Sequence, residues 1–175
     1  MCNPIEEKTK QQVIESLMMT SPAGAWAFKV KFVFCGVLAP LNEYAEDLSA
    51  CVSEIQPPMI LPGFKDIMGH VHINFQEREN HFVMKFFNTL ERMTPTTEAK
   101  RNKATVLVTL QHLENNSEKV IASDIWQCEP GNAQIAPYSY KDKDPDGIKV
   151  TWELDVKCHT GDELNVGNND TEKSK

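Results

Sequence analysis

The chain has 175 residues, 41% of them hydrophobic, and a formal net charge of −7. This length favours one domain that buries roughly two-thirds of its unfolded surface, and the acidic balance argues against a protein whose main role is to coat bare nucleic acid. No run approaches the ~20 apolar residues of a transmembrane helix, and the first residues lack the apolar region of a secretory signal.

Residues 1–22 are polar apart from one short amphipathic patch. Its apolar members, spaced i, i+1, i+4 and i+5, are Val13, Ile14, Leu17 and Met18. One or two helical turns are marginal unless they dock on another surface. Two interpretations stay open: a terminal helix that packs on its own domain, or an arm that binds a neighbouring copy and serves as a self-association site.

The next segment predicts a strand that runs directly into a helix. Hydrophobic residues alternate with others over 26–34, the period of a half-buried strand. Over 41–55 they recur at helical spacing instead. Pro40 blocks continuation of the strand, and Pro57 and Pro58 end the helix.

A loop rich in proline carries three apolar residues, Met59, Ile60 and Leu61. The flanking prolines exclude a regular helix or a central strand there. The three side chains therefore either tuck into the core or form an exposed contact site for a membrane or a partner.

The middle of the chain predicts a second strand over 71–75, followed by the polar turn QEREN. Alternation resumes over 82–86 and predicts a hairpin with that strand, while a helix over 82–90 is the competing interpretation. A charged connection follows and contains the basic patch Lys100, Arg101 and Lys103. This patch is either a solvated loop or a contact for phosphate or lipid head groups.

The last third predicts a hairpin and one further strand. Alternating residues over 106–110, the turn ENNSE and a return strand over 120–126 form the hairpin. An irregular loop is predicted over 128–140, and the clearest strand of the chain over 148–156. From residue 160 onward too little apolar surface remains, which predicts a disordered tail.

These elements predict a single α+β domain with a mainly antiparallel, twisted sheet of five or six strands and two or three helices packed on it. The predicted organisation is an amino-terminal arm over 1–22, partly ordered, a globular domain over 23–159, and a disordered tail over 160–175.

Motifs for catalysis or cofactor binding are absent from the sequence: it has no P-loop, GxGxxG, GxSxG or HExxH. The five cysteines are widely spaced and odd in number, which predicts reduced, mostly buried thiols. His70 and His72 would share one face of a strand, as zinc ligands do, but no third and fourth ligand follow at motif spacing, and only Cys158 and His159 offer distant ones. We therefore predict no catalytic residue, no metal and no cofactor.

Two segments resemble, in the right order, parts of the globular domain of rhabdovirus matrix proteins. The first, FKVKFVFCGVLAPLNEYAEDLSACVSEI at 28–55, has an alternating strand, a Pro-containing link and an Ala-rich amphipathic helix. The second, KATVLVTLQHLENNSEKVIASDIWQ at 103–127, has a hairpin with an acidic turn that ends near Ile125 and Trp126. Between them, GFKDIMGHVHINF at 63–75 stands where the family has an apolar strand. The matches cover about two-fifths of the chain, and its length is similar to that of the compact, plant-infecting cytorhabdovirus members.

The resemblance implies a non-enzymatic structural protein that lies beneath the envelope of the virion and, in the host, in the cytoplasm and at membranes. Its implied partners are further copies of itself, the viral nucleocapsid, the inner membrane leaflet and the glycoprotein tail. It would condense the nucleocapsid, support budding and damp viral transcription. The family's amino-terminal arm docks on the next copy, a role that the patch at Val13–Met18 would take.

Two features of well-known family members are missing here: a lysine-rich amino terminus and a PPxY motif. Membrane contact would therefore depend on Met59, Ile60 and Leu61, aided by the basic patch. The alternative function is a viral accessory protein, a silencing suppressor or movement protein, that binds nucleic acid or a host factor. A cellular enzyme without a recognisable motif is a third possibility.

Overall fold

The described part of the chain forms one sheet and a few short helices. The computed structural model describes residues 23–60, 69–101, 103–136 and 147–162. The strands of these ranges are β1 Phe28–Gly36, β2 Val52–Gln56, β3 His70–Gln76, β4 Ala104–Leu113, β5 Val120–Ile135 and β6 Lys149–Gly161. The helices are α1 Ala45–Ala50, α2 Phe82–Met93 and α3 Glu98–Arg101, and a 3₁₀ helix at Ala39–Tyr44 precedes α1.

All six strands pair antiparallel in the order β1-β4-β5-β6-β3-β2. The predicted α+β class with an antiparallel sheet is therefore confirmed. The sheet is strongly curled: strands four places apart would be about 19 Å apart in a flat sheet, yet the rings of Phe32 in β1 and Phe75 in β3 lie 6.1 Å apart.

The core fills the concave, inner face of this sheet. Alternate residues of each strand point inward, and Trp152 of β6, fully buried, lies at the centre. Its ring is 5.1 Å from Phe87 of α2 and 6.1 Å from Phe32. The buried side of α2 consists of Val83, Phe86, Phe87 and Leu90. Strand alternation thus sets the core, as the sequence predicts for β1, β4 and β6, whereas Trp26 lies before β1 and is exposed.

The predicted helix over 41–55 is wrong in its second half. The 3₁₀ helix ends at Tyr44 and α1 ends at Ala50, and Val52–Gln56 is strand β2, paired with β3. Leu48 and Cys51 are buried, as helical spacing predicted. A regular strand would not place residues three apart on one face, but a β-bulge between Val52 and Glu54 sets Val52 opposite Phe75 and Ile55 opposite Ile73. Pairing with β3 therefore decides, and β-branched Val52 and Ile55 suit a strand.

The predicted hairpin over 71–86 is also wrong, and the competing helix is correct. Helix α2 begins because the Glu77 carboxylate accepts hydrogen bonds from the backbone N–H groups of Val83 and Met84, at 2.9 and 2.8 Å. These are two of the donors that a helix start leaves without partners. His81, with φ of 56°, reverses the chain just before the helix.

The predicted loop over 128–140 is wrong up to residue 135, because β5 continues to Ile135. The strand passes through irregularities between Gln127 and Cys128 and between Pro130 and Ala133, which interrupted the alternation that sequence reasoning looks for. A Cβ at Gly131 would lie 2.1 Å from the Glu153 carbonyl oxygen, so only glycine fits there. Strand β6 continues to Gly161, past the predicted domain boundary at 159.

Candidate functional site

Some of the predicted site residues lie outside the described ranges. They are the arm residues Val13, Ile14, Leu17 and Met18 and the loop residue Leu61. Both interpretations of the arm therefore stay predictions.

Met59 and Ile60 follow β2 and are exposed, at 75% and 86% of their surface. For these two side chains the structure favours the exposed interpretation over tucking into the core. They are large apolar groups at a surface, a feature that often marks a contact site.

The basic patch falls between α2 and β4. Lys100 lies in α3 and Lys103 follows it, and both are exposed; Arg101 is the last residue of α3. The apolar loop and the basic patch join the sheet far apart in its strand order. Met59 follows β2, at one end, whereas Lys103 precedes β4, the neighbour of β1 at the other end.

Strand β1 presents an open edge, a feature that the sequence did not indicate. The Ala27 carbonyl accepts a bond from the Leu113 N–H, so odd-numbered residues bond toward β4. The N–H and C=O of Phe34 instead bond the Asn42 side chain, both at 2.8 Å. Strand geometry then directs the backbone groups of Val30 and Phe32 away from β4 as well, where no described strand pairs with them.

A groove of about 580 Å³ runs along this edge between β1 and α1. Lys29, Lys31 and Val33 line its strand side, and Glu46 and Asp47 belong to its helix side. Asn42 closes one end by mimicking a neighbouring strand at Phe34. The groove therefore leaves only the first part of the β1 edge open to another extended backbone.

The opposite end of the sheet is β2, five residues long and followed by Pro57 and Pro58. Its Ser53 hydroxyl donates to the Asn74 carbonyl at 3.0 Å, and the Glu54 carboxylate accepts from the Asn74 amide at 3.0 Å. Glu54 is exposed. One edge thus carries two lysines and the other carries a carboxylate.

An outer cluster of histidines and carboxylates spans β3 and β6 on the convex face. The two strands pair His70 with Asp155 and His72 with Glu153. His70 Nδ1 lies 2.7 Å from Asp155 Oδ1 and 3.7 Å from Glu153 Oε1, and His72 Nδ1 lies 3.7 Å from Glu153 Oε2. The four side chains are between about one-third and one-half exposed.

A rim cluster lies where β4, β5 and β6 continue beyond the core. The Asp124 carboxylate is 3.1 Å from His112 Nε2 and 2.8 Å from His159 Nε2, and the His159 ring stacks on Trp126 at 5.6 Å. Burial alone would raise the pKa of Asp124, but the hydrogen bonds and positive charge that His159 and His112 supply outweigh it and hold that pKa below its usual value.

Sequence reasoning named His70 and His72 but missed Glu153, Asp155 and Asp124. The signal was the shared spacing of two in His70-x-His72 and Glu153-x-Asp155, which becomes informative only once β3 and β6 are known to pair.

The described cysteines form no disulfide with one another. Cys51 and Cys128 are buried, Cys35 is half-buried and Cys158 is exposed. Burial, with a contribution from the charge of Asp155, raises the pKa of the Cys128 thiol to about 12, which makes it a poor nucleophile.

Among the helices of the described ranges, none has the length and apolar character needed to cross a bilayer.

Comparison with known proteins gives a likeness at the level of structure. No family model and no curated protein matches the sequence. The fold is similar to a chain in the cryo-EM structure of the six-fold symmetrised anti-feeding prophage (AFP) baseplate, with a TM-score of 0.53 and 13% identity over 85% of this chain and 100% of that chain. At this identity the likeness shows the fold alone.

Proposed function

We propose that this chain is a structural subunit that associates with copies of itself to build a larger particle. The observation that carries the proposal is the pair of sheet edges, β1 and β2, that no strand of the described ranges covers. An unpaired edge offers a row of N–H and C=O groups that another chain can extend. The similar fold of a baseplate chain supports a role in an assembly of many subunits.

The strand side of the β1 groove and the β2 edge carry opposite charges. Lys29 and Lys31 flank β1 and β2 carries exposed Glu54, while Glu46 and Asp47 line the helix side of the groove. Pairing β1 of one copy with β2 of the next is a heterologous contact, which closes into a ring or continues as a filament. The six-fold symmetry of the baseplate that contains the similar chain favours a ring.

The first test is the oligomeric state of the full chain. Sedimentation velocity across the soluble concentration range should show association that rises with concentration, and negative-stain electron microscopy should show rings or filaments. A monomer at every concentration would overturn the proposal.

The second test exchanges the edge charges. We expect Lys29→Glu with Lys31→Glu to weaken association about tenfold or more, because like charges across an interface cost at least ~1.4 kcal/mol. Glu54→Lys should act in the same direction, and mixing the two variants should restore association. The matched control, Lys85→Glu with Lys119→Glu, makes the same change of net charge at exposed positions away from both edges. Equal weakening by the control would contradict edge pairing.

A more specific form of the proposal is the matrix role, which the exposure of Met59 and Ile60 favours. We expect Met59→Ser with Ile60→Ser to reduce co-sedimentation with anionic liposomes or nucleocapsids, while changing the free energy of unfolding by less than ~0.5 kcal/mol per site. The control is Val120→Ser with Ile121→Ser, two exposed apolar residues elsewhere. Unchanged co-sedimentation of the loop variant would reject this membrane site. Tight binding of bare RNA with a steep salt dependence would favour the accessory-protein alternative instead.

A further inference from the structure

The outer cluster has the composition of a metal site. The ligand atoms of His70, Glu153 and Asp155 all lie within 4.8 Å of one another. One imidazole and two carboxylates are a donor set that zinc and similar divalent transition metals accept. His72 lies beside this group and not within it: its Nδ1 is 3.7 Å from Glu153 Oε2.

The distances leave room for an ion with small side-chain shifts. Two donors at ~2.0–2.1 Å from one tetrahedral Zn²⁺ lie roughly 3.3–3.5 Å apart. The separation of His70 Nδ1 from Glu153 Oε1, 3.7 Å, is close to that value. The 2.7 Å pair of His70 and Asp155 is a hydrogen bond, and it must open by about 0.7 Å as the metal replaces the shared proton.

Charge and backbone also suit a cation. Glu153 and Asp155 place two carboxylates beside the imidazoles, whereas Lys157 pairs with Glu129, opposite Asp155 in β5, at 3.6 Å. The ligands stand on two paired strands whose inward residues, such as Ile73 and Trp152, are fully buried. The backbone positions of the donors are therefore set by the core beneath them.

We propose that His70, Glu153 and Asp155 bind a divalent transition metal of the Zn²⁺ class, with His72 as a neighbour of Glu153 outside the donor set. The site joins β3 to β6 on the convex face, and the bound metal stabilises the folded chain by mass action. Hard cations such as Mg²⁺ bind poorly, because they favour oxygen ligands and retain their water. The site does not depend on the proposed self-association.

The test is calorimetric titration of the full, reduced chain with Zn²⁺ and, in parallel, with Mg²⁺. We expect one saturable Zn²⁺ site per chain and an increase in the melting temperature with Zn²⁺ alone. Asp155→Asn and His70→Gln should each weaken Zn²⁺ binding at least ~10-fold, and His72→Gln should have a smaller effect. All three positions are exposed or half-exposed, so circular dichroism should show folded variants.

Two controls separate this site from others. His112→Gln changes a histidine that also pairs with a carboxylate, and Cys158→Ser removes the exposed thiol; both should leave Zn²⁺ affinity unchanged. The proposal is overturned if the wild-type chain shows no saturable Zn²⁺ binding. It is equally overturned if Asp155→Asn and His70→Gln bind as tightly as wild type, or if Cys158→Ser alone abolishes binding.

Discussion

The outer cluster on β3 and β6 sets two histidines against two carboxylates, whereas the rim cluster on β4, β5 and β6 sets two histidines against one carboxylate. In the outer cluster two carboxylates, Glu153 and Asp155, surround His70. In the rim cluster two imidazoles share one carboxylate, Asp124. A second carboxylate leaves negative charge for a cation, whereas two imidazoles that share one carboxylate satisfy it and lower its pKa. The same chemistry thus predicts metal binding at one cluster and sensitivity to acid at the other.

The largest expected effect comes from removing the support beneath the outer cluster. Trp152→Ala should lower the free energy of unfolding by ~3–5 kcal/mol, because the buried ring contacts Phe32, Phe75 and Phe87. Chemical denaturation measures this change. Trp26→Ala is the matched control, since Trp26 is 62% exposed and its loss should cost less than ~0.5 kcal/mol.

Trp152→Phe sharpens the same prediction. The Trp152 indole N–H is buried without an acceptor among the described residues, and such a donor costs ~1–3 kcal/mol. Phenylalanine removes that donor and keeps most of the ring, so we expect this variant to be much closer to wild type than Trp152→Ala. If the two variants lose equal stability, the ring contacts are not what holds β6.

A variant of intermediate effect should show whether the outer cluster depends on β5. Gly131→Ala places a Cβ against the Glu153 carbonyl, at a cost near the upper end of the ~1–3 kcal/mol typical of overpacking. Because the collision is at Glu153, Zn²⁺ affinity should fall together with stability. Gly147→Ala is the control: its φ is +70° and the nearest atom to the new Cβ, Gln76 Nε2 at 3.9 Å, is an ordinary contact, so only backbone strain of ~1–2 kcal/mol is expected. Zn²⁺ affinity that is unchanged by Gly131→Ala would uncouple the site from β5.

The same residues show which parts of the fold the sequence alone predicts. Alternation identified the inner faces of β1, β4 and β6, because a half-buried strand must place every second side chain in the core. It failed at Val52–Gln56 and beyond Cys128, where a short strand and irregular pairing hide the period. It also failed at Phe82, where the Glu77 carboxylate, five residues earlier, caps the start of a helix in place of a strand.

The two clusters needed the strand register as well as the strands. His70 and Asp155 are far apart in the sequence and meet only because β3 pairs with β6. Asp124 joins His112 of its hairpin partner and His159 of β6 through two different pairings. The sequence shows which side chains can carry chemistry, but the pairing of the strands decides which of them lie together.

The smallest expected effect concerns acid. Because the folded-state pKa of Asp124 is lowered relative to an unfolded value of about 3.9, its ionised form stabilises the protein above that value. The stabilisation is lost as the pH falls through the lower folded-state pKa.

Asp124 is partly exposed, so we expect Asp124→Asn to reduce the free energy of unfolding by at most ~1 kcal/mol near neutral pH. Urea unfolding of both proteins at about pH 6 and about pH 2.5 should show this difference shrinking in acid, whereas Glu118→Gln, at an exposed turn, should show none at either pH. A difference that persists or grows in acid would mean that Asp124 acts through its shape and not through its charge, and the contrast between the two clusters would then fail.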